Sequence, residues 1–388
     1  MGAPLVRITA RLFAPEVAAA AFRLRTLGQA FADTGCRVEV LTTRPPAGSA
    51  PADDGALRVS RWPALRDENG NIRGYVQYLS YDLPLVLRAL LRPRPDLYVV
   101  EPPPTTGAVM RVVAALQRRP YVWFAADIWS EASSAAGAPG WVSRALRFVE
   151  SRVLRGARAV LSISDGVTEK VEALGVPAER VVTVGNGVDT SVFRPDGPRT
   201  EAAEPYFVYT GTMSEWQGAT VFVEALAEHR RRGGRSRLVF VGQGSELPHL
   251  RELAERLVPG AVDFPGVVAP PEAATWLRGA QAALVSIRPG LGYDFAKPTK
   301  IYAATGCGTP VVFAGVGASR QLVHDEGLGW AVDHDPVAVA DAMDAATTGT
   351  VPAADHLVTW TAANASLDAA CRAAAAAVLE RVGQVPAR

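Results

Sequence analysis

Hydrophobic and polar positions along this chain alternate in two periods. Short runs of β-branched and aromatic residues occupy the first half: "LVRITA", "RVEVLTT", "LRVSRW", "DLYVVEP", "YVWFAAD", "AVLSIS" and "VVTVGN". Ala-, Leu- and Arg-rich stretches with helical spacing separate them. Near-continuous apolar runs mark strands buried on both faces, and the intervening helices carry the chain from one parallel strand to the next. A Pro-rich polar stretch, "VFRPDGPRTEAAEP" at 192–205, reads as a linker. After it the alternation restarts with "YFVYTGT", "RLVFVGQG", "VDFPGV", "AALVSI" and "TPVVFAG". The pattern predicts an α/β protein of two Rossmann-like, doubly wound parallel-sheet domains. Such sheets bind ligands beyond the carboxyl ends of their strands, so two of them leave an interdomain cleft.

Composition narrows the class. A chain of 388 residues is longer than one core usually serves. A net charge of +1 with 20% charged residues gives no footprint for nucleic acid and no charged tail. Cys36, Cys307 and Cys371 are odd in number and lack metal-ligand spacing, so neither a disulfide nor a metal site is expected. The N-terminal stretch lacks the apolar core of a secretory signal, and no run of eighteen apolar residues occurs. A cytoplasmic protein, at most peripheral on a membrane, is the expectation. One segment bears on that question: "NIRGYVQYLSYDLPLVLRALLRPRP" is an apolar helical stretch with arginines at both ends and three tyrosines, a composition able to lie on a bilayer. Because the strand "DLYVVEP" follows directly, a crossover helix packed on the first sheet is the preferred reading.

Candidate chemistry concentrates in the second half. "VYTGTMSEWQGATVFVEAL" is a strand, a Gly211–Thr212 turn and a helix with Gly218 near its start, and "VFVGQGSELPHLREL" repeats the plan with Gly242 and Gly244. Unpaired N–H groups at such helix starts suit a phosphate, although an ordinary turn has the same spacing. The segment "DFAKPTKIYAATGCGTPVVFAG" holds Lys297 and Lys300, two of only three lysines beside thirty-seven arginines. Both lie at a helix start, where a cation opposes the dipole unless an anion accompanies it.

Together these segments resemble a known family. "NGVDTSVFRP" at 186, "VYTGTMSEWQGA" at 208, "VFVGQGSE" at 239, "VDFPGVV" at 262 and "KPTKIYAATGCGTPVV" at 297, in that order, are similar to glycosyltransferase family 4, which has the GT-B fold. "RLFAPEVAAAAFRLRTLGQAFADTGCRVEVLTT" and "FAADIWSEASSAAG" resemble the branch whose bacterial members build surface polysaccharides, colanic acid among them, and natural-product glycosides. The resemblance runs from about residue 5 to 380. It implies a retaining transfer from a nucleotide-diphosphate sugar, without metal or cofactor. The acceptor, a small molecule or a glycan that is lipid-linked in one variant, would sit on the N-terminal half. Expected divisions are residues 1–197, residues 198–365 and a last helix, 366–388, returning to the N-terminal domain.

The same resemblance assigns roles. Lys300 falls on the lysine that contacts the diphosphate, with Thr299 in place of a serine, and Asp127 stands where this branch keeps an aspartate facing the sugar; these two are the catalytic candidates. Gly211, Thr212 and Ser214 match the turn beneath the diphosphate, Gly242 the second turn, and Val267 and Val268 the segment holding the nucleobase. Arg288, Lys297 and Tyr302 complete the donor side. On the N-terminal side Glu16, Ala18, Ala19, Arg23 and Glu131 fall at the acceptor loop. Plain alternatives exist for two: Asp127 as a helix N-cap and Glu131 as a solvated residue. "ADDG" at 52–55 reads as a surface turn.

Departures from the family pattern weigh on the donor side. The ribose-binding glutamate falls on Ala303, and its partner on Phe295 with Asp294 beside it as a substitute. The usual cation of the phosphate turn falls on Gln217, Glu215 occupies an often basic place, and the N-terminal glycine loop reads "VAAAA" at 17–21. None of the five histidines lies near the N-terminal motifs, and no carboxylate pair is spaced for glycoside hydrolysis. Three readings stand: an active glycosyltransferase, a degenerate member that binds nucleotide or a partner without turnover, and a nucleotide-sugar epimerase. The Arg-over-Lys and Ala-rich bias suggests a high-GC bacterial source, with envelope polysaccharide or a glycosylated antibiotic as the product.

Overall fold

A computed structural model of the chain describes residues 2–16, 18–46, 54–67, 70, 72, 74–135 and 138–383. Val17 of the alanine loop, Asp53 of "ADDG", and Asn71 and Arg73 at the head of the apolar helical stretch lie outside the described residues. The chain divides into two compact units, residues 1–186 with 367–388, and residues 187–366.

The N-terminal unit runs β1 (Leu5–Thr9), α1 (Ala19–Asp33), β2 (Arg37–Thr43), β3 (Arg58–Trp62), α2 (Tyr75–Leu90), β4 (Leu97–Val100), α3 (Pro104–Gln117), β5 (Tyr121–Ala125), α4 (Trp129–Ala135), α5 (Gly140–Gly156), β6 (Ala159–Ser162), α6 (Asp165–Ala173) and β7 (Val181–Thr183). The strands form one parallel sheet in the order β3-β2-β1-β4-β5-β6-β7. Strand order therefore reverses between β1 and β4, the place where such sheets open a crevice at their carboxyl ends.

The C-terminal unit runs β8 (Tyr206–Thr212), α7 (Thr220–Arg231), β9 (Arg237–Gln243), α8 (Leu247–Leu257), β10 (Val262–Gly266), α9 (Pro270–Gly279), β11 (Ala283–Ser286), α10 (Thr299–Gly306), β12 (Val311–Ala314), α11 (Ala318–Asp325), β13 (Gly329–Val332), α12 (Pro336–Thr348) and α13 (Ala354–Asn364). Its parallel sheet has the order β10-β9-β8-β11-β12-β13, with the switch between β8 and β11. The last helix, α14 (Leu367–Gly383), belongs to the N-terminal unit. Its buried face, Leu367, Cys371, Ala374, Ala375 and Val378, joins Leu24, Leu27 and Phe31 of α1 in one core.

Each sheet is apolar on both faces, as the sequence pattern requires. Val6, Ile8, Val38, Val40, Val99 and Val122 face the α1–α14 side, whereas Leu41, Tyr98, Val100, Trp123 and Val160 face the layer containing α2, α3 and α5. Fully burying a Val, Leu, Ile or Phe side chain contributes roughly 1.5–3 kcal/mol, so these two layers outweigh any surface ion pair in holding the sheet.

Two expectations change. "GWAV" at 329–332 forms the edge strand β13 although it carries one β-branched residue in four; pairing with the apolar β12 overrides weak propensity. Residues 192–205, read as a linker, are held by the C-terminal unit: Arg278 donates to the carbonyls of Arg194 (3.1 Å) and Pro198 (2.8 Å), and Thr200 N–H donates to Thr275 (3.0 Å). The prolines here break helix and strand without freeing the segment.

Candidate functional site: the carboxyl ends of both sheets

In the C-terminal unit, β8 and β9 end as paired glycine turns. Gly211 pairs with Gly242, both have positive φ (103° and 139°), and a Cβ on Gly242 would overlap the Gly211 carbonyl. A Cβ on Gly244 would likewise meet the backbone of Met213, whose N–H donates to Gln243 (2.9 Å). Glycine is needed here because backbone lies against backbone in a conformation that L side chains disfavour.

Past the first turn, Ser214 and Gln217 form a capping box around a short 3-10 turn, with Ser214 N–H donating to Gln217 Oε1 at 3.1 Å. Gln217 is 4% exposed, so the residue in place of the family's cation is a buried structural cap. Gly218, in the left-handed region, accepts from His334 Nε2 across 3.0 Å, and Arg288 N–H donates to Trp216 (2.8 Å). The Arg288 side chain is exposed, and Trp216 stacks on Tyr293 at 4.6 Å.

Lys300, in the first turn of α10, reaches toward this turn. Its Nζ lies 3.7 Å from the centre of the buried Tyr209 ring and 3.9 Å from where a Gly211 side chain would begin. The residue is partly accessible along its stem, but Nζ is buried without a hydrogen-bond partner. Burial alone pulls its pKa from 10.5 to about 7. Three more buried polar atoms of this unit lack partners: Ser286 Oγ, at the end of β11 beside the switch, Asp294 Oδ1, and, in the last turn of α7, His229 Nε2.

The other donor-side candidates scatter. Gly211 and Thr212 are exposed at the turn, Lys297 is exposed ahead of α10, and Thr299 opens that helix. Tyr302, two residues beyond Lys300, points to the opposite side, where it is 6% exposed and packs on Trp360 at 6.1 Å; burial lifts its pKa to about 12. Its ring belongs to the core and does not reach the turn. Ala303 is likewise buried in that core. Val267 is exposed just past β10, and Val268 packs against the core.

The N-terminal unit treats its charges differently. Glu16 holds both guanidinium nitrogens of Arg66 at 3.0 Å. Glu131, for which sequence allowed an acceptor contact or a solvated surface, pairs with Lys170 at 2.5 Å. Arg23, 7% exposed, stands 4.0 Å from Glu101 and 4.9 Å from the Phe124 ring. Glu101 follows β4 and was not foreseen: burial raises its pKa to about 7, against the opposing pull of Arg23 and Arg11. Ala18 and Ala19 do not form a loop. Ala18 is the N-cap of α1 and Ala19 its first residue, which corrects the reading of 17–21 as a loop at those positions.

Asp127, just past β5, is not the N-cap of α4. The buried Glu150 of α5 takes that place, accepting from Trp129 N–H (2.8 Å) and Ser130 N–H (3.0 Å) through its two oxygens. Asp127 is exposed, yet the protein around its carboxyl raises its pKa; Arg23 opposes that rise and Glu150 adds to it. Glu150 had no signal in sequence, because its cap is formed twenty residues away. Among the described residues no three His, Cys, Asp or Glu side chains converge as a metal site requires.

Two doubly wound parallel sheets on one chain, each with its polar residues beyond the carboxyl strand ends, define the GT-B class. The similarity to solved structures is of that kind: HepE of Anabaena, crystallised with UDP and glucose, superposes with a TM-score of 0.70 over 98% of this chain and 99% of its own at 16% identity. WaaG, a glycosyltransferase of lipopolysaccharide biosynthesis, gives 0.70 over 95% and 98%, also at 16% identity. Residues 19–187 match the glycosyl transferase 4-like domain and residues 204–348 the glycosyl transferases group 1 domain. The chain belongs to glycosyltransferase family 4. It is 32% identical over 257 residues to a D-inositol 3-phosphate glycosyltransferase of Xylanimonas cellulosilytica, covering 58% of this chain and 60% of that one. To the putative colanic acid biosynthesis glycosyltransferase WcaL of Escherichia coli it is 26% identical over 197 residues, 50% and 48% of the two chains. The chain thus spans about half the length of the relatives it matches.

Proposed function

We propose that the protein is a retaining glycosyltransferase that moves a sugar from a nucleotide-diphosphate donor to a hydroxyl of a small-molecule or glycan acceptor, without a metal ion. The observation that carries this reading is Lys300: a buried ammonium with no partner, held over Tyr209 beside two glycine turns. A desolvated cation without a counter-charge is costly unless a ligand supplies one, and a diphosphate does. The UDP bound by the HepE structure supports the same donor chemistry.

In this reading the glycosidic bond to the diphosphate breaks and the acceptor oxygen bonds to the anomeric carbon from the same face. Its proton passes to the departing phosphate. Charge grows on that phosphate as the bond loosens, and the Lys300 ammonium would stabilise it. Asp127 and Arg23 belong to the acceptor side.

A second reading, nucleotide binding without turnover, is favoured by Ala303 and Gln217. The one has no hydrogen-bonding side chain, and the other is consumed as a cap. Thermal melting with nucleoside diphosphates and their sugars tests both. A ligand at a hundred times its dissociation constant adds about 2.7 kcal/mol. Stabilisation with release of free nucleoside diphosphate from a sugar nucleotide supports transfer, stabilisation without release supports the second reading, and no stabilisation by any nucleotide sinks both.

A further inference from the structure

On α2, Val76, Leu79, Leu83, Leu87 and the following Leu91 are 64, 50, 64, 62 and 84% exposed. Spacings of three and four residues put them on one side of the helix. The opposite side, with Tyr81, Leu85 and Ala89, is buried in the core against the sheet. A crossover helix needs one apolar face, so folding does not account for the second. The neighbouring helices α3 and α5, packed on the same side of the sheet, continue the apolar surface with exposed Val112, Leu116, Trp141 and Phe148.

Charge on these three helices has one sign. Their two carboxylates, Asp82 and Glu150, are both 1% exposed and turned inward. Their accessible charges are Arg111, Arg144, Arg147, Arg152 and Arg155, and among the described residues none of the five forms an ion pair. Two grooves open here. One of about 490 Å³ is lined by Arg144, Arg147, Arg155 and Phe148, the other of about 340 Å³ by Arg111, Arg119, Arg158 and Arg180, and neither is lined by a carboxylate. Arg119 is itself paired with Asp96 at 3.6 Å.

We propose that the α2–α3–α5 face of the N-terminal unit docks on the surface of an anionic lipid bilayer. The leucine stripe would enter the boundary of the acyl region, and the arginine grooves would take lipid phosphates, which a guanidinium fork fits in a bidentate way. Charge complementarity selects this occupant. A second copy would bring the same cationic face and repel, and a nucleic acid offers nothing apolar for the stripe.

Sedimentation of the full chain with vesicles tests it. Co-sedimentation is expected with vesicles of phosphatidylcholine and phosphatidylglycerol, not with phosphatidylcholine alone, and should weaken with salt. Each arginine near the surface contributes about fivefold in partition, so Arg144→Glu with Arg147→Glu should lower binding at least about 25-fold. Leu83→Glu with Leu87→Glu should abolish it at unchanged melting temperature, because both positions are exposed. Absence of binding, equal binding to neutral vesicles, or variants that bind like the parent would overturn the proposal. So would a dimer in light scattering that the leucine variants dissolve, which would give the face to a second copy.

Discussion

The two sheets expose polar side chains at equivalent carboxyl ends and resolve their charge in opposite ways. At the N-terminal sheet the charges are countered within the unit: Glu16 by Arg66, Glu131 by Lys170, Glu150 by the first N–H groups of α4, and Glu101 by Arg23 and Arg11, although Nε of each of those two arginines is buried without a hydrogen-bond partner. At the C-terminal sheet Lys300 has no counter-charge, and Ser286 Oγ and Asp294 Oδ1 have no partner. A surface whose charges are countered from within is built for shape and stability. One left unsatisfied implies a ligand to complete it, since buried polar groups are otherwise paired.

The largest expected effect breaks the self-satisfied side. Glu150→Ala removes the acceptor of two backbone N–H groups at a buried helix start. Hydrogen bonds to a charged group contribute about 1.5–3 kcal/mol each, so a loss of about 3 kcal/mol in unfolding free energy is expected by denaturant titration. The carboxyl of Asp127 should then titrate lower, because Glu150 is one of the groups that raise it. Unchanged stability would mean that the ends of the two sheets are not as different as their hydrogen bonds imply.

Next comes the unsatisfied side, where the sign for stability inverts. Lys300→Ala should leave the unliganded melting temperature unchanged or raised, because an uncompensated ammonium is removed. Against the donor it should cost about 1.5–3 kcal/mol, or roughly ten- to a hundredfold in kcat/KM. Lys297→Ala, at an exposed position, should cost less than about 1 kcal/mol. Equal losses for the two lysines would remove Lys300 as the diphosphate contact and leave Arg288 in its place.

How much of this was legible depends on the range of each interaction. Strands such as Leu97–Val100 and Val311–Ala314 were readable because burial on both faces leaves an unbroken apolar run. Lys300 was readable because a lysine at a helix start is locally unfavourable. Pairings across the fold were not: Glu16 meets Arg66 fifty residues on, and Glu131 meets Lys170 thirty-nine on. The same limit left a cap open as the alternative for the catalytic candidate Asp127 and made Tyr302 look like a ligand when its ring is core. For α2, the apolar pattern offered both a crossover helix and a helix lying on a bilayer, and could not separate the buried face from the exposed one, since periodicity shows apolar positions but not what covers them.

The smallest effect sharpens the comparison through pH. Lys300 titrates near 7 in the folded protein and would titrate at 10.5 in water. Between those values the unfolded chain binds a proton that the folded chain lacks, so through this group stability rises with pH across that window and the effect ends below about 7. A bound diphosphate reverses the shift by favouring the ammonium. Binding at pH 8 should therefore draw in up to about one proton, and affinity should weaken by up to about tenfold per pH unit above 7 until the complex itself loses that proton. Calorimetry at pH 8 in two buffers of different ionisation heat measures the uptake directly. Lys300→Ala should show none, and the other resolved cation shifts of the C-terminal unit, those of Arg231, Arg232 and Arg237, are upward. Binding without proton uptake in the parent protein would mean that the diphosphate does not meet Lys300, and that its unpaired nitrogen serves some other anion.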